Sequence, residues 1–193
     1  MSHVKLSVIT IGTVLALMTG AAHAGLLGHS VTSQYYAYGS AYSGYGSPTT
    51  FVANGTVQSS FCTSGCPEGF NLTVTDNQIE YDFVNTSYWS SSGPSYTSGG
   101  LFIANGNLLT IAGVNITGVT LDASSTMPSF TSSNVTFNSG AVAADWAGIS
   151  GITAGDKVVL DVTTAAVPEP ETYALMMMGL GFIGLVAKRK REA

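Results

Sequence analysis

Apolar side chains recur at every second position through much of the chain. Ile79, Tyr81 and Phe83 alternate with Glu80 and Asp82, and Leu72 and Val74 alternate with Asn71, Thr73 and Thr75. Val158, Leu160 and Val162 alternate with Val159, Asp161 and Thr163, while Val135 and Phe137 sit between polar neighbours. A period of two sends successive side chains to opposite faces of an extended backbone, so each run predicts a half-buried antiparallel strand. Turn chemistry separates the runs. Asn105-Gly106 lies between Leu101-Phe102-Ile103 and Leu108-Leu109-Thr110-Ile111. Asn-Gly accepts the positive φ angles of a tight hairpin, which predicts a hairpin with that pair at its tip. Asn54-Gly55, Asp76-Asn77, Ser139-Gly140 and Gly155-Asp156 mark further turns. The pattern predicts roughly nine or ten short strands and no long helix outside the chain ends. The expected fold is all-β, an antiparallel β-sandwich. Its expected core draws on Phe51, Phe61, Phe70, Phe83, Trp89, Phe102, Phe137 and Trp146. A parallel β-helix is the rival, but no fixed repeat period supports it.

The two ends follow another pattern. Residues 1–24 read as a secretory signal peptide: Lys5 supplies the positive start and Leu6 to Met18 the apolar stretch. Ala22-His23-Ala24 is an A-x-A cleavage site, with Gly25 first in the mature chain and signal peptidase as the partner. A body then spans residues 25–167, and residues 168–193 form a tail. Pro168-Glu169-Pro170 is a stiff extended tripeptide, because each proline fixes its own φ and disfavours helix before it. Tyr173 to Ala187 is uncharged and apolar, and reads as a short membrane helix. At the helical rise it reaches about 22 Å, short of a ~30 Å hydrocarbon core. Lys188-Arg189-Lys190-Arg191 is a basic anchor that stays in the cytoplasm by the positive-inside tendency.

The tail resembles the PEP-CTERM sorting signal in its Val-Pro-Glu-Pro-x-Thr-x-Ala-Leu-Met pattern, the following Gly-Leu-Gly, and the basic end. That resemblance covers only residues 168–193. It implies that an exosortase, a membrane-embedded cysteine transpeptidase, recognises Pro168, Glu169 and Pro170. It also implies a Gram-negative host that makes exopolysaccharide or biofilm. The expected precursor is anchored in the inner membrane with a periplasmic body. The expected mature form lies at the cell surface or in the extracellular matrix.

Charge narrows the partners. Charged residues are only 9% of the chain, against about 25% in ordinary proteins. The body holds eight carboxylates (Glu68, Asp76, Glu80, Asp82, Asp122, Asp145, Asp156, Asp161) and one cation, Lys157, for a net charge of −7. Nucleic-acid binding needs Lys and Arg to displace counterions from phosphate, so nucleic acid is excluded as a partner. Direct binding of an acidic polysaccharide is disfavoured for the same reason.

Candidate chemistry in the body is sparse. Cys62 and Cys66 are expected to form a disulfide outside the cytoplasm, with free thiols as the alternative. So short a loop limits the gain to about 2 kcal/mol. A zinc site needs more ligands, and His29 is the body's only histidine. Tyr35, Tyr36, Tyr38, Tyr42 and Tyr45 crowd one segment, and Trp89 sits among serines. Aromatic rings with polar handles stack on sugars, so these six are candidate sugar contacts beside the simpler reading of packed strand and loop residues. Asn54, Asn71, Asn85, Asn115 and Asn134 begin Asn-x-Ser/Thr triplets that chance explains in so Asn- and Thr-rich a chain. No catalytic residues are expected. One histidine is a thin supply for triad chemistry, and Glu80 and Asp82, which would share a strand face, read as solvated residues rather than a glycosidase pair. No cofactor is expected, although calcium assistance through Asp76, Glu80 and Asp82, or through Asp156 and Asp161, stays open. The leading expectation is a non-catalytic protein of the cell surface or exopolysaccharide matrix. The alternative is a secreted carbohydrate-binding module, and a secreted hydrolase is third.

Overall fold

The computed structural model describes residues 25–44, 47–61, 69–86, 88–91, 93–165, 176–181 and 183, with the backbone alone at 59–61. The chain divides into two compact units, one of which is His23–Val167. Of the other unit, residues 176–181 and 183 are described and are helical. No helix among the described residues is long and apolar enough to cross a membrane.

Thirteen strands form among the described residues, several of them too short to leave an alternating signature. They are β1 (Ser30–Ala37), β2 (Ser40–Ala41), β3 (Thr49–Val52), β4 (Val57–Phe61), β5 (Phe70–Val74), β6 (Gln78–Phe83) and β7 (Tyr96–Ser98). They continue as β8 (Leu101–Ile103), β9 (Asn105–Ile111), β10 (Asn115–Leu121), β11 (Val135–Asn138), β12 (Ala141–Asp145) and β13 (Lys157–Ala165). The first sheet runs β11-β12-β9-β1-β2, with β3 also on β1; the second runs β10-β13-β6-β5-β4; β7 and β8 pair alone. Every pairing is antiparallel.

The alternating runs become strands with the expected faces buried. Ile79, Tyr81 and Phe83 on β6, Leu72 and Val74 on β5, and Val158, Leu160 and Val162 on β13 all lie in the main core. Asn54-Gly55 and Ser139-Gly140 turn between strands; Gly55 has φ +81°, and Asn138 pairs with Ala141 across the second turn.

The expected hairpin at Asn105-Gly106 does not form. Both residues lie inside β9, where Gly106 pairs with Tyr36 on one side and Asp145 on the other. A side chain at Gly106 would collide with the Ala144 carbonyl oxygen, so glycine here serves close backbone approach rather than a turn. β8 pairs instead with β7, through a Gly99-Gly100 turn with both φ values positive.

The main core draws on both large sheets: Val31, Tyr35, Leu109, Ile111, Val142 and Ala144 from the first, and the β5, β6 and β13 residues from the second. Trp146, just after β12, is fully buried at its centre. Its ring centroid lies 5.0 Å from Tyr81, 5.3 Å from Phe83 and 5.2 Å from Phe130. Polar ties run through this core. The Tyr81 hydroxyl of the second sheet donates to Asn107 Oδ1 of the first at 3.1 Å, and Asn107 Nδ2 donates to Ser33 Oγ at 3.1 Å. A buried amide left without partners would be costly, and these bonds satisfy it.

A second, smaller cluster lies on the opposite face of the first sheet. Leu108, Ala141 and Ala143 alternate with the main-core residues of β9 and β12 and pack with Leu101 and Ile103 of β8. Strands covered on both faces carry continuous apolar runs, here Leu108-Leu109 and Ala141-Val142-Ala143-Ala144. Two expected core aromatics are corrected. Phe102 is 44% exposed because Leu101 and Ile103 take the inward positions of β8, and Phe137 is 38% exposed on the edge strand β11. Phe51 packs at the margin of the main core, and the Phe61 side chain lies outside the described residues.

Candidate functional site

The aromatic candidates separate into buried and accessible groups. Trp89 and Tyr35 are core residues, with Trp89 only 3% exposed. Trp89 Nε1 donates to the Tyr35 hydroxyl at 2.7 Å, and that hydroxyl donates to Asn105 Oδ1 at 2.7 Å. The hydrogen-bonded chain explains how two polar-tipped rings sit inside, and neither presents a face to solvent. Tyr42 is exposed at its rim and meets Tyr35 edge-on at 6.3 Å. Tyr38 stands out at the tip of the β1–β2 hairpin. Tyr45 lies outside the described residues.

Tyr36 is half-buried on the outer face of β1. Its ring lies 4.4 Å from that of Tyr96 on β7. Burial, and then the neighbouring Tyr96 hydroxyl, push the Tyr36 hydroxyl above its ordinary pKa. Tyr96 also borders an open depression of about 580 Å³ between the β7–β8 hairpin, β9 and the β11–β12 turn. Its floor includes Leu108 and Thr110, and its walls include Ser98, Gly99, Asn138 and Ser139. Asn138 holds two walls together: Nδ2 donates to the Gly99 carbonyl at 3.2 Å, and Oδ1 accepts from Gly140 N–H at 3.0 Å. Sequence reasoning missed Tyr96 because β7 is only three residues long. The available signal was Gly93-Pro94 just before it, a turn marker next to an aromatic.

Several titratable groups are tied into the fold. His29 Nδ1 donates to the Ala112 carbonyl at 2.8 Å. Glu80 pairs with Lys157 at 2.7 Å, and this hydrogen bond raises the Lys157 pKa. Asp145 Oδ1 accepts from the N–H groups of Ala104, Asn105 and Ala147. Asp122 accepts from the Ser124 hydroxyl and backbone, which lowers its pKa. Asp156 Oδ2 accepts from Thr153 N–H at 2.7 Å, and Asp161 Oδ1 accepts from Gln78 Nε2 at 2.8 Å. Among the described residues, no three of His, Cys, Asp and Glu gather as a metal site.

The remaining expected residues fall elsewhere. Gly25 is packed where a side chain would collide with the Asp76 carboxylate. Ala22, Ala24, Cys62, Cys66, Pro168, Glu169, Pro170, Lys188, Arg189, Lys190 and Arg191 lie outside the described residues.

No curated protein and no solved structure matches the chain. The one family finding concerns the tail. Residues 166–191 match the PEP-CTERM protein-sorting motif, so the chain carries the signature of an exported protein processed by an exosortase.

Proposed function

We propose that this is a non-catalytic protein of the cell surface or exopolysaccharide matrix of a Gram-negative bacterium, delivered by its tail. The sorting motif at residues 166–191 carries this reading. In the precursor, Tyr173 to Ala187 forms a short membrane helix, and the exosortase acts at Pro168-Glu169-Pro170. The signal peptide ends at Ala24. The body is a two-layer β-sandwich, a reading supported by the core shared between the large sheets and by the Tyr81–Asn107 bond that joins them. The absence of catalysis is supported by where the reactive side chains are spent: His29 on a backbone carbonyl, Glu80 on Lys157, Asp145 on three backbone amides.

Intact mass of the protein recovered from the surface and medium of its host tests the proposal. A chain starting at Gly25 and ending near Pro168-Glu169-Pro170 is expected. A mass that still includes Lys188 to Ala193 would make the tail a plain anchor and overturn the sorting route.

A further inference from the structure

Ala37 pairs with Ser40, so Tyr38-Gly39 is a two-residue hairpin turn, and its φ values are +53° and +76°. Turns with both residues at positive φ favour Asn-Gly, because a side chain with a Cβ is strained there. A tyrosine costs roughly 1 kcal/mol at such a position. At 64% exposed, its ring recovers little of that by burial. Strain of this kind at an exposed aromatic points to use rather than packing.

The ring is backed by protein. A side chain at Gly93 would come 2.8 Å from Tyr38 Cδ1, and one at Gly39 would come 3.1 Å from Pro94 Cβ. Residues 93 to 96 therefore run along the hairpin and end in Tyr96, stacked beside Tyr36. The depression of about 580 Å³ begins at Tyr96. Tyr38, the Tyr36–Tyr96 pair and the depression thus follow one another along the outer side of the first sheet.

We propose that this strip binds an uncharged polysaccharide chain. Pyranose rings offer a C–H face that packs on tyrosine, and their hydroxyls suit the side chains of Ser98, Thr110 and Ser139 at the far end. The depression falls in the size range of small-ligand sites, roughly 300–1,000 Å³. No residue along the strip carries a charge, and the body's net −7 opposes an acidic polymer. The inference rests on the matrix reading for the presence of such a polymer around the protein. It places the contacts on Tyr38 and Tyr96 and leaves out the buried Tyr35 and Trp89.

Native gels cast with dextran, hydroxyethylcellulose, galactomannan, alginate or gelatin test it on the protein recovered from its host. At least one neutral polymer slows migration, and neither alginate nor gelatin does. Tyr38→Asn and Tyr96→Ala each weaken that retardation about tenfold, the loss of one good stacking contact. Tyr38→Asn separates binding from folding, because asparagine suits the turn and raises the melting temperature by about 2–4 °C. Phe137→Ala, an exposed ring paired with the main-core residue Val142 and so on the opposite face, leaves retardation unchanged. The proposal fails if no neutral polymer slows the protein, if alginate or gelatin slows it more, or if Tyr38→Asn and Tyr96→Ala migrate as the parent does. It fails equally if Phe137→Ala abolishes retardation. The terminal masses are read separately, so this failure and that of the sorting route are distinct results.

Discussion

The two faces of the first sheet bury different kinds of surface. Its inner face joins a large aromatic core with Trp146 at the centre, threaded by the hydrogen bonds of Tyr81, Asn107 and Ser33. Its outer face carries three buried apolar residues, Leu108, Ala141 and Ala143, under one short hairpin that adds Leu101 and Ile103, with Tyr36 and Tyr96 at the margin. The same strands, β9 and β12, serve both. The inner side supplies most of the apolar burial that stabilises the fold. The outer side holds a hairpin in position and shapes the depression beside it, so a local opening there need not unfold the rest.

The largest effect belongs to the inner face. Trp146→Ala removes the ring around which Phe70, Tyr81, Phe83, Trp89 and Phe130 pack. The expected loss is about 3–5 kcal/mol in urea unfolding. A loss below about 1 kcal/mol would mean that the cluster does not organise the core. On the outer face, Ile103→Ala should cost about 2 kcal/mol, the low end for such truncations, because a small cluster near solvent collapses more easily. Its signature is local. The Phe102 amide, bonded to Thr136 Oγ1 at 2.9 Å, should exchange its hydrogen faster, while the β6 amides keep their protection. Equal acceleration in both places would erase the distinction between the faces.

How legible each face was follows from its physics. The second sheet was readable because its strands bury one side, which leaves the alternation of Ile79, Tyr81 and Phe83 in plain view. The first sheet was harder. Ala141 to Ala144 and Leu108-Leu109 do not alternate, since both sides are covered, and of the covering hairpin only the Leu101-Phe102-Ile103 run shows in the sequence. Asn105-Gly106 misled because the pair that makes a turn also fits a strand squeezed between two neighbours. Trp89 was expected in the core and also stood as a sugar-contact candidate because its neighbours in sequence are polar; its partners, Tyr35 and Phe83, are distant in the chain and hold it inside. The sorting tail lay at the other extreme: its motif is linear and needs no tertiary contact to be recognised. The strip beside β7 depends on three segments meeting, which no local pattern records.

The smallest of these effects concerns the Tyr81 hydroxyl, which bonds the two large sheets across the inner core. Tyr81→Phe keeps the ring and removes the donor to Asn107 Oδ1. That oxygen still faces Ser33 Oγ at 3.4 Å, so it is not orphaned and the cost at neutral pH should be about 1 kcal/mol. The pH dependence then identifies the cause. Burial pushes the Tyr81 hydroxyl far above its ordinary value of 10.0. The folded state therefore keeps its proton where the unfolded chain releases it. Stability from this group is intact below pH 10 and falls as pH rises beyond it, by up to about 1.4 kcal/mol per pH unit. Phenylalanine has no proton to lose, so the gap between parent and variant should close and then reverse above about pH 10 to 11. Urea melts at pH 8, 10 and 11 would show it. A gap that stays constant would place Tyr81 in contact with water rather than inside the core that separates the two faces.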